Sequence, residues 1–209
     1  EYPNLKQLLE NMFETMDRAD GCGLAAPQIG LPIRVVVIDL DIMSDDYPEY
    51  KGYRRAFINP HIVETNEEED TMEEGCLSLP GIHEPVKRPT KIRVQYMDAD
   101  FNEHDEWVEG FEARCMQHEF DHLEGKMFID HLSALRKQMI RGKLNNMLKG
   151  NVEVFTNIIV LTHHSEQVFR EVSGICIMQS NPFNTRYLGD FLDEFGQFLT
   201  FVEIYSVIS

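Results

Sequence analysis

The stretch QHEFDH, residues 117–122, decides how this chain is read. His118 and His122 are four positions apart, which on a helix puts them one turn apart on the same face, so both imidazoles can point at one ion. Glu119 then sits beside that ion without binding it. This HExxH spacing is how metalloproteases place two ligands and a general base. Two helix histidines and a glutamate on a solvated face produce the same letters, so a third ligand has to decide.

Two downstream solutions fail. In HExxHxxGxxH, Gly125 fits but the final ligand slot is Phe128, which cannot bind a metal. A His₂Glu site needs a glutamate roughly twenty residues further on, and none occurs between Gly125 and Gly150. Upstream, EEGCLSLPG at 73–81 offers Cys76 without a partner cysteine. A thiolate with two imidazoles is a competent set that leaves a fourth position open, the mark of a catalytic zinc-type site. Alone, Cys76 reads as a small buried apolar side chain, as most free cysteines do.

The rest of the chain limits the setting. With 209 residues, 43% of them hydrophobic, it can bury one good core and a second small unit beside it. Cys22, Cys76, Cys115 and Cys176 are scattered and form no CxxC pair, so no disulfide framework is expected and a reducing cytosol is the default. A formal charge of −17 argues against nucleic-acid binding over the whole surface. No apolar run reaches the ~20 residues of a membrane span, and Glu1-Tyr2-Pro3-Asn4 has no signal- or transit-peptide profile.

Leu5, Leu8, Leu9, Met12, Phe13 and Met16 recur at helical spacing, and that helix is expected to end near Gly21. GCGLAAPQIGLP, 21–32, reads as a loop in which backbone approaches something closely. RVVVIDL (34–40), AFINPHIV (56–63) and KIRVQYMDADFN (91–102) read as strands, and the run Glu67 to Asp70 as a solvated turn. A helix is predicted between Gly110 and Gly125 and another from Ser133 to about Lys149. The expected class is therefore α+β. Beyond Gly150 the composition shifts to lysine-free, aromatic and β-branched sequence, so 151–209 is treated as a separate C-terminal segment of unknown role that supplies no catalytic group.

Three stretches now read together: GCGLAAPQ (21–28), EGCLSLP (74–80) and QHEFDH. In order and spacing they resemble the three signature motifs of peptide deformylases, over about residues 5–150. The resemblance implies antiparallel sheets packed around a central helix carrying HExxH. It implies a cytoplasmic metal hydrolase that removes the N-formyl group from the N-terminal formylmethionine of nascent polypeptides and releases formate. Cys76, His118 and His122 would hold one divalent ion, Fe²⁺ by family implication with Zn²⁺ possible, since such a ligand set suits both. Glu119 would shuttle the proton, while the Gln28 amide and the Leu77 backbone N–H would meet the developing oxyanion. Gly23 would lie along the substrate backbone, and Cys22, Gly75, Phe111, Arg114 and Cys115 would border the methionine pocket.

The alternatives are another HExxH-type metallopeptidase, disfavoured by Phe128, and a non-catalytic metal-containing peptide-binding module, disfavoured by Glu119 and the open coordination position. Arg88 and Asp121 are expected to pair and orient the ligand helix. The stretch 131–150 carries Arg136, Lys137, Arg141, Lys143 and Lys149 and no acidic residue, which makes it a candidate contact with the ribosome. No membrane partner and no specific DNA partner are expected.

Overall fold

Val35–Asp39 opens with four apolar residues in succession, and such a run makes a stable strand only where both faces are covered. All five of its residues are buried. In this computed structural model, which describes residues 4–149, it is the second of seven strands. These are β1 (Gly23–Ala25), β2 (Val35–Asp39), β3 (Arg54–Thr65), β4 (Glu69–Gly75), β5 (His83–Pro89), β6 (Lys91–Met97) and β7 (Glu103–Glu109). Five form one antiparallel sheet in the order β1-β2-β3-β6-β7, and β4 with β5 forms a separate hairpin.

Helices α1 (Leu5–Arg18) and α2 (Gly110–Leu123) pack against the larger sheet. α1 buries Leu8, Leu9, Met12 and Met16, the expected stripe, and contacts β1 and β2. The core against α2 gathers Val36, Ile38, Phe57, Ile92, Val94 and Tyr96 with Ala113, Met116 and Phe120. Phe57 sits at its centre, 4.7 Å from the Tyr96 ring and 6.0 Å from the Phe120 ring. Burying such a side chain fully contributes about 1.5–3 kcal/mol. The architecture is thus α+β, with antiparallel sheets around α2.

The described residues divide into two compact units after Leu132. The second contains α3 (Ala134–Leu148), which starts where the Ser133 hydroxyl accepts a hydrogen bond from the Arg136 N–H. No helix among the described residues is long and apolar enough to cross a membrane. The boundary expected at Gly150 and the segment 151–209 lie outside the described residues.

Three local expectations change. The loop at 21–32 contains the short strand β1 and a 3-10 turn over Ala26–Ile29, closed by Gly30 at φ 78°. α1 stops at Arg18, because Asp20 takes a left-handed φ of 57° and the Gly21 N–H returns to the Met16 carbonyl. The acidic run is only partly a turn: Glu69 and Asp70 open β4, where Asp70 pairs with Arg114. A surface charge pattern does not reveal a partner 44 positions away.

Candidate metal centre

α2 carries His118 and His122 on successive turns, with ring centroids 5.2 Å apart and planes at 83°. Cys76 follows β4 directly. One donor atom from each of Cys76, His118 and His122 lies within 4.8 Å of the others. The Cys76 Sγ is 3.4 Å from His122 Nε2. Phe128, the residue that excluded a longer HExxH motif, is buried and stacks on His118 at 6.0 Å.

A buried ionic cluster ties β4, which leads into Cys76, to the helix that carries the two histidines. The His118 Nδ1–H donates to Glu74 Oε2 at 2.9 Å, which leaves Nε2 of that ring for an ion. Arg88 grips Glu74 with two bonds, Nε to Oε1 at 2.7 Å and Nη2 to Oε2 at 3.0 Å, and gives Nη1 to Asp121 Oδ2 at 2.7 Å. Arg114 Nη1 reaches the same Glu74 Oε1 and the Val86 carbonyl, each at 3.0 Å. His131 Nε2 meets Asp121 Oδ2 at 2.7 Å. Burial alone would raise the Glu74 carboxyl, but His118 and the two guanidinium groups outweigh it and hold Glu74 well below the usual carboxylate range.

The Arg88–Asp121 pair follows the expectation. Glu74 escaped sequence reasoning, as did the bond between His131 and Asp121. For Glu74 one signal existed: it stands two residues before Cys76.

The donor chemistry fits a divalent transition ion. Burial, followed by the charge on Glu119, pushes the Cys76 thiol up to about 12, and burial with His118 pushes His122 down to about 3. His122 is therefore neutral and ready to ligate at ordinary pH, whereas the thiol needs a cation beside it, which deprotonates a coordinating thiol outright. A sulfur and two imidazole nitrogens are a soft-to-borderline set of the kind Zn²⁺ and Fe²⁺ accept.

Glu119 lies on the same helix and is 4% exposed, which is decisive for its chemistry. Its Oε2 has no hydrogen-bond partner among the described residues, and burial, then the neighbouring Cys22 and Glu74, raise its carboxyl well above the ordinary value. A Cβ built on Gly23 would stand 2.5 Å from Glu119 Oε1, so only glycine lets β1 pass this carboxyl. The Gln28 amide has a fixed orientation. Its Oε1 accepts from the Ala25 N–H at 2.8 Å, so Nε2 is turned to Ser78 Oγ at 3.1 Å and to Cys76 Sγ at 3.7 Å. Leu77 packs its side chain over Gly21, where an added Cβ would come within 2.8 Å, and so braces the Cys76 turn against the segment before β1.

Of the residues expected around a pocket, Cys22 and Phe111 are partly buried against the core that contains Cys115. The Cys22 and Cys115 sulfurs are 3.7 Å apart. Gly75 faces the His83 ring, which a Cβ there would meet at 2.6 Å. Arg114 stands apart from this group, its guanidinium committed to Glu74, Asp70 and Val86.

A thiol and two helix imidazoles that could hold a metal ion stand beside a buried carboxyl on an α+β scaffold. The family model for polypeptide deformylases matches residues 1–138. A peptide deformylase of Flavobacterium johnsoniae is 45% identical over 157 residues, covering 72% of this chain and 80% of its own. One of Cytophaga hutchinsonii is 47% identical over 143 residues, covering 68% and 77%. A solved Plasmodium falciparum peptide deformylase in complex with an inhibitor superposes with a TM-score of 0.61 at 37% identity, over 70% of this chain and 85% of that one. The chain belongs to the polypeptide deformylase family, and is with it a metal-dependent hydrolase.

Proposed function

We propose that this deformylase hydrolyses the formamide of N-terminal formylmethionine on nascent polypeptides, giving formate and a free α-amine, with Cys76, His118 and His122 holding one divalent ion. The observation that carries this reading is the convergence of those three donors within 4.8 Å, two of them on the helix that also carries the buried Glu119. A bound ion would supply Lewis acidity, lowering the pKa of water from about 15.7 towards ~7 and polarising the formyl carbonyl.

Glu119 takes the proton of the attacking water and delivers it to the leaving amine. That its Oε2 has no hydrogen-bond partner among the described residues supports that role. Gln28 Nε2 and the Leu77 N–H donate to the formyl oxygen as charge develops there, and the bond from Ala25 to Gln28 Oε1 keeps the amide turned the right way. Gly23 leaves room for peptide backbone beside Glu119. Cys22, Phe111 and Cys115, with Gly75 at the rim, offer an apolar and polarisable wall suited to a methionine side chain. Arg114 acts at one remove, through Glu74 and His118.

The resident ion is Fe²⁺, with Zn²⁺ as replacement, and the enzyme works in the cytoplasm. α3 presents Arg136, Arg141 and Lys143 as exposed residues and has no acidic side chain, which supports docking on anionic ribosomal RNA. Residues 1–150 form the catalytic domain and 151–209 add no catalytic group. The test is formate release from a formylmethionyl peptide by anaerobically purified protein, with metal analysis of the same sample. Stoichiometric iron and one formate per free amine are expected, and metal-replete protein that releases no formate would overturn the reading.

A further inference from the structure

Two free thiols outside the proposed ligand set stand side by side. Cys22, half-buried immediately before β1, has its Sγ 3.7 Å from that of Cys115, which is buried on α2. The contact joins the two segments that form the reactive centre. Cys22 precedes Gly23, whose Cα side abuts Glu119, and Cys115 lies one helical turn before Glu119. The Cys115 thiol also faces the Cys22 carbonyl at 3.8 Å, so both are turned towards the same junction.

We propose that Cys22 and Cys115 are a peroxide-sensitive dithiol whose closure to a disulfide reversibly switches the enzyme off. The sulfur of Cys22, the less buried residue of the two, attacks hydrogen peroxide, giving a sulfenic acid and releasing hydroxide that takes up the thiol proton as water. The Cys115 sulfur then attacks the Cys22 sulfur, the S–O bond breaks and a second water leaves. Two thiols are oxidised and one peroxide is reduced to two waters. Closing the pair from 3.7 Å to the ~2.0 Å of a disulfide draws the β1 entry and α2 together beside Glu119. Misplacing a catalytic group by about 1 Å can cost roughly 100-fold in rate. The loss of activity rests on the proposed role of Glu119, whereas bond formation does not.

The experiment treats the full-length, Zn²⁺-loaded protein with hydrogen peroxide, maps its peptides by mass spectrometry without reduction, and assays each sample before and after dithiothreitol. The expected result is a Cys22–Cys115 crosslinked peptide whose yield tracks a loss of at least about tenfold in kcat/KM, recovered on reduction, with zinc retained. Cys22→Ala and Cys115→Ala, each compared with its own untreated activity, are expected to resist that loss. Absence of the crosslink, or a loss that persists in both variants or follows oxidation of Cys76, would overturn the proposal. A crosslink that leaves kcat/KM unchanged would overturn the switch, and failure of the untreated protein to deformylate would fall on the proposed function instead.

Discussion

At Gly23 a single hydrogen atom decides whether the site can form. A methyl group there would stand 2.5 Å from Glu119 Oε1 and 2.7 Å from its Cγ, too close to be absorbed by a small rotation. Gly23→Ala is therefore expected to lower kcat by at least about tenfold by displacing Glu119, with the folded circular dichroism spectrum and metal content unchanged; wild-type kcat would remove the close approach from the account. Glu119→Gln keeps the ligands and removes proton transfer, so it should retain one metal per chain and lose about 100-fold to 10,000-fold in kcat. Turnover within a fewfold of the parent would mean that another group carries the proton. Gln28→Ala should cost about 100-fold to 1,000-fold in kcat if its amide meets the oxyanion, whereas a change confined to KM would make Gln28 a binding residue. Metal affinity also carries a residue-level signature. Because the Cys76 thiol sits up at about 12 and His122 down at about 3, the thiol proton must leave when an ion binds near neutral pH. Affinity should then fall by about tenfold per unit from about pH 8 to about pH 6, and a competition titration that is flat over this range would contradict the ligand assignment.

Between elements, β4, β5 and α2 are tied by the Glu74, Arg88, Arg114 and Asp121 cluster, in which Arg88 is 3% exposed. Deleting one member leaves an uncompensated buried charge, which costs about 3–5 kcal/mol. Arg88→Ala should show that loss in urea denaturation, and a double-mutant cycle with Asp121→Asn should reveal coupling, since the two groups bond directly. Additivity would make the pair incidental. His118, Glu119 and His122 are legible because helical geometry alone fixes their spacing. α1 and β2 are legible because their apolar periods match their burial. Glu74 was hidden because its partners Arg88 and Arg114 lie 14 and 40 positions on, a separation no local period encodes. β1 was hidden because three residues, Gly23, Leu24 and Ala25, carry no strand pattern and pair only because β2 lies beside them.

Across the whole molecule, every group proposed to act in the chemistry lies before Leu132, in the first compact unit. A chain ending at Gly150 is accordingly expected to keep its metal and to retain kcat/KM within about tenfold, ~1.4 kcal/mol in barrier. A larger loss in a shortened chain that is folded by circular dichroism would place a necessary group in 151–209. The basic stretch of α3 stands out in a chain of net charge −17, so ribosome co-sedimentation should weaken with added salt and with neutralisation of Arg136, Lys137, Arg141, Lys143 and Lys149. Binding that ignores both changes would remove the electrostatic docking. The Cys76 thiol just after β4 and two α2 imidazoles are proposed to hold a single ion and leave it open to substrate. X-ray absorption at the metal edge of the zinc-loaded, full-length protein tests that arrangement directly. One sulfur scatterer at about 2.3 Å and two imidazole nitrogens at about 2.0–2.1 Å with one further light-atom position are expected, the sulfur disappearing in Cys76→Ser; a coordination shell without sulfur, or one filled by four protein side chains, would rule out this ligand set.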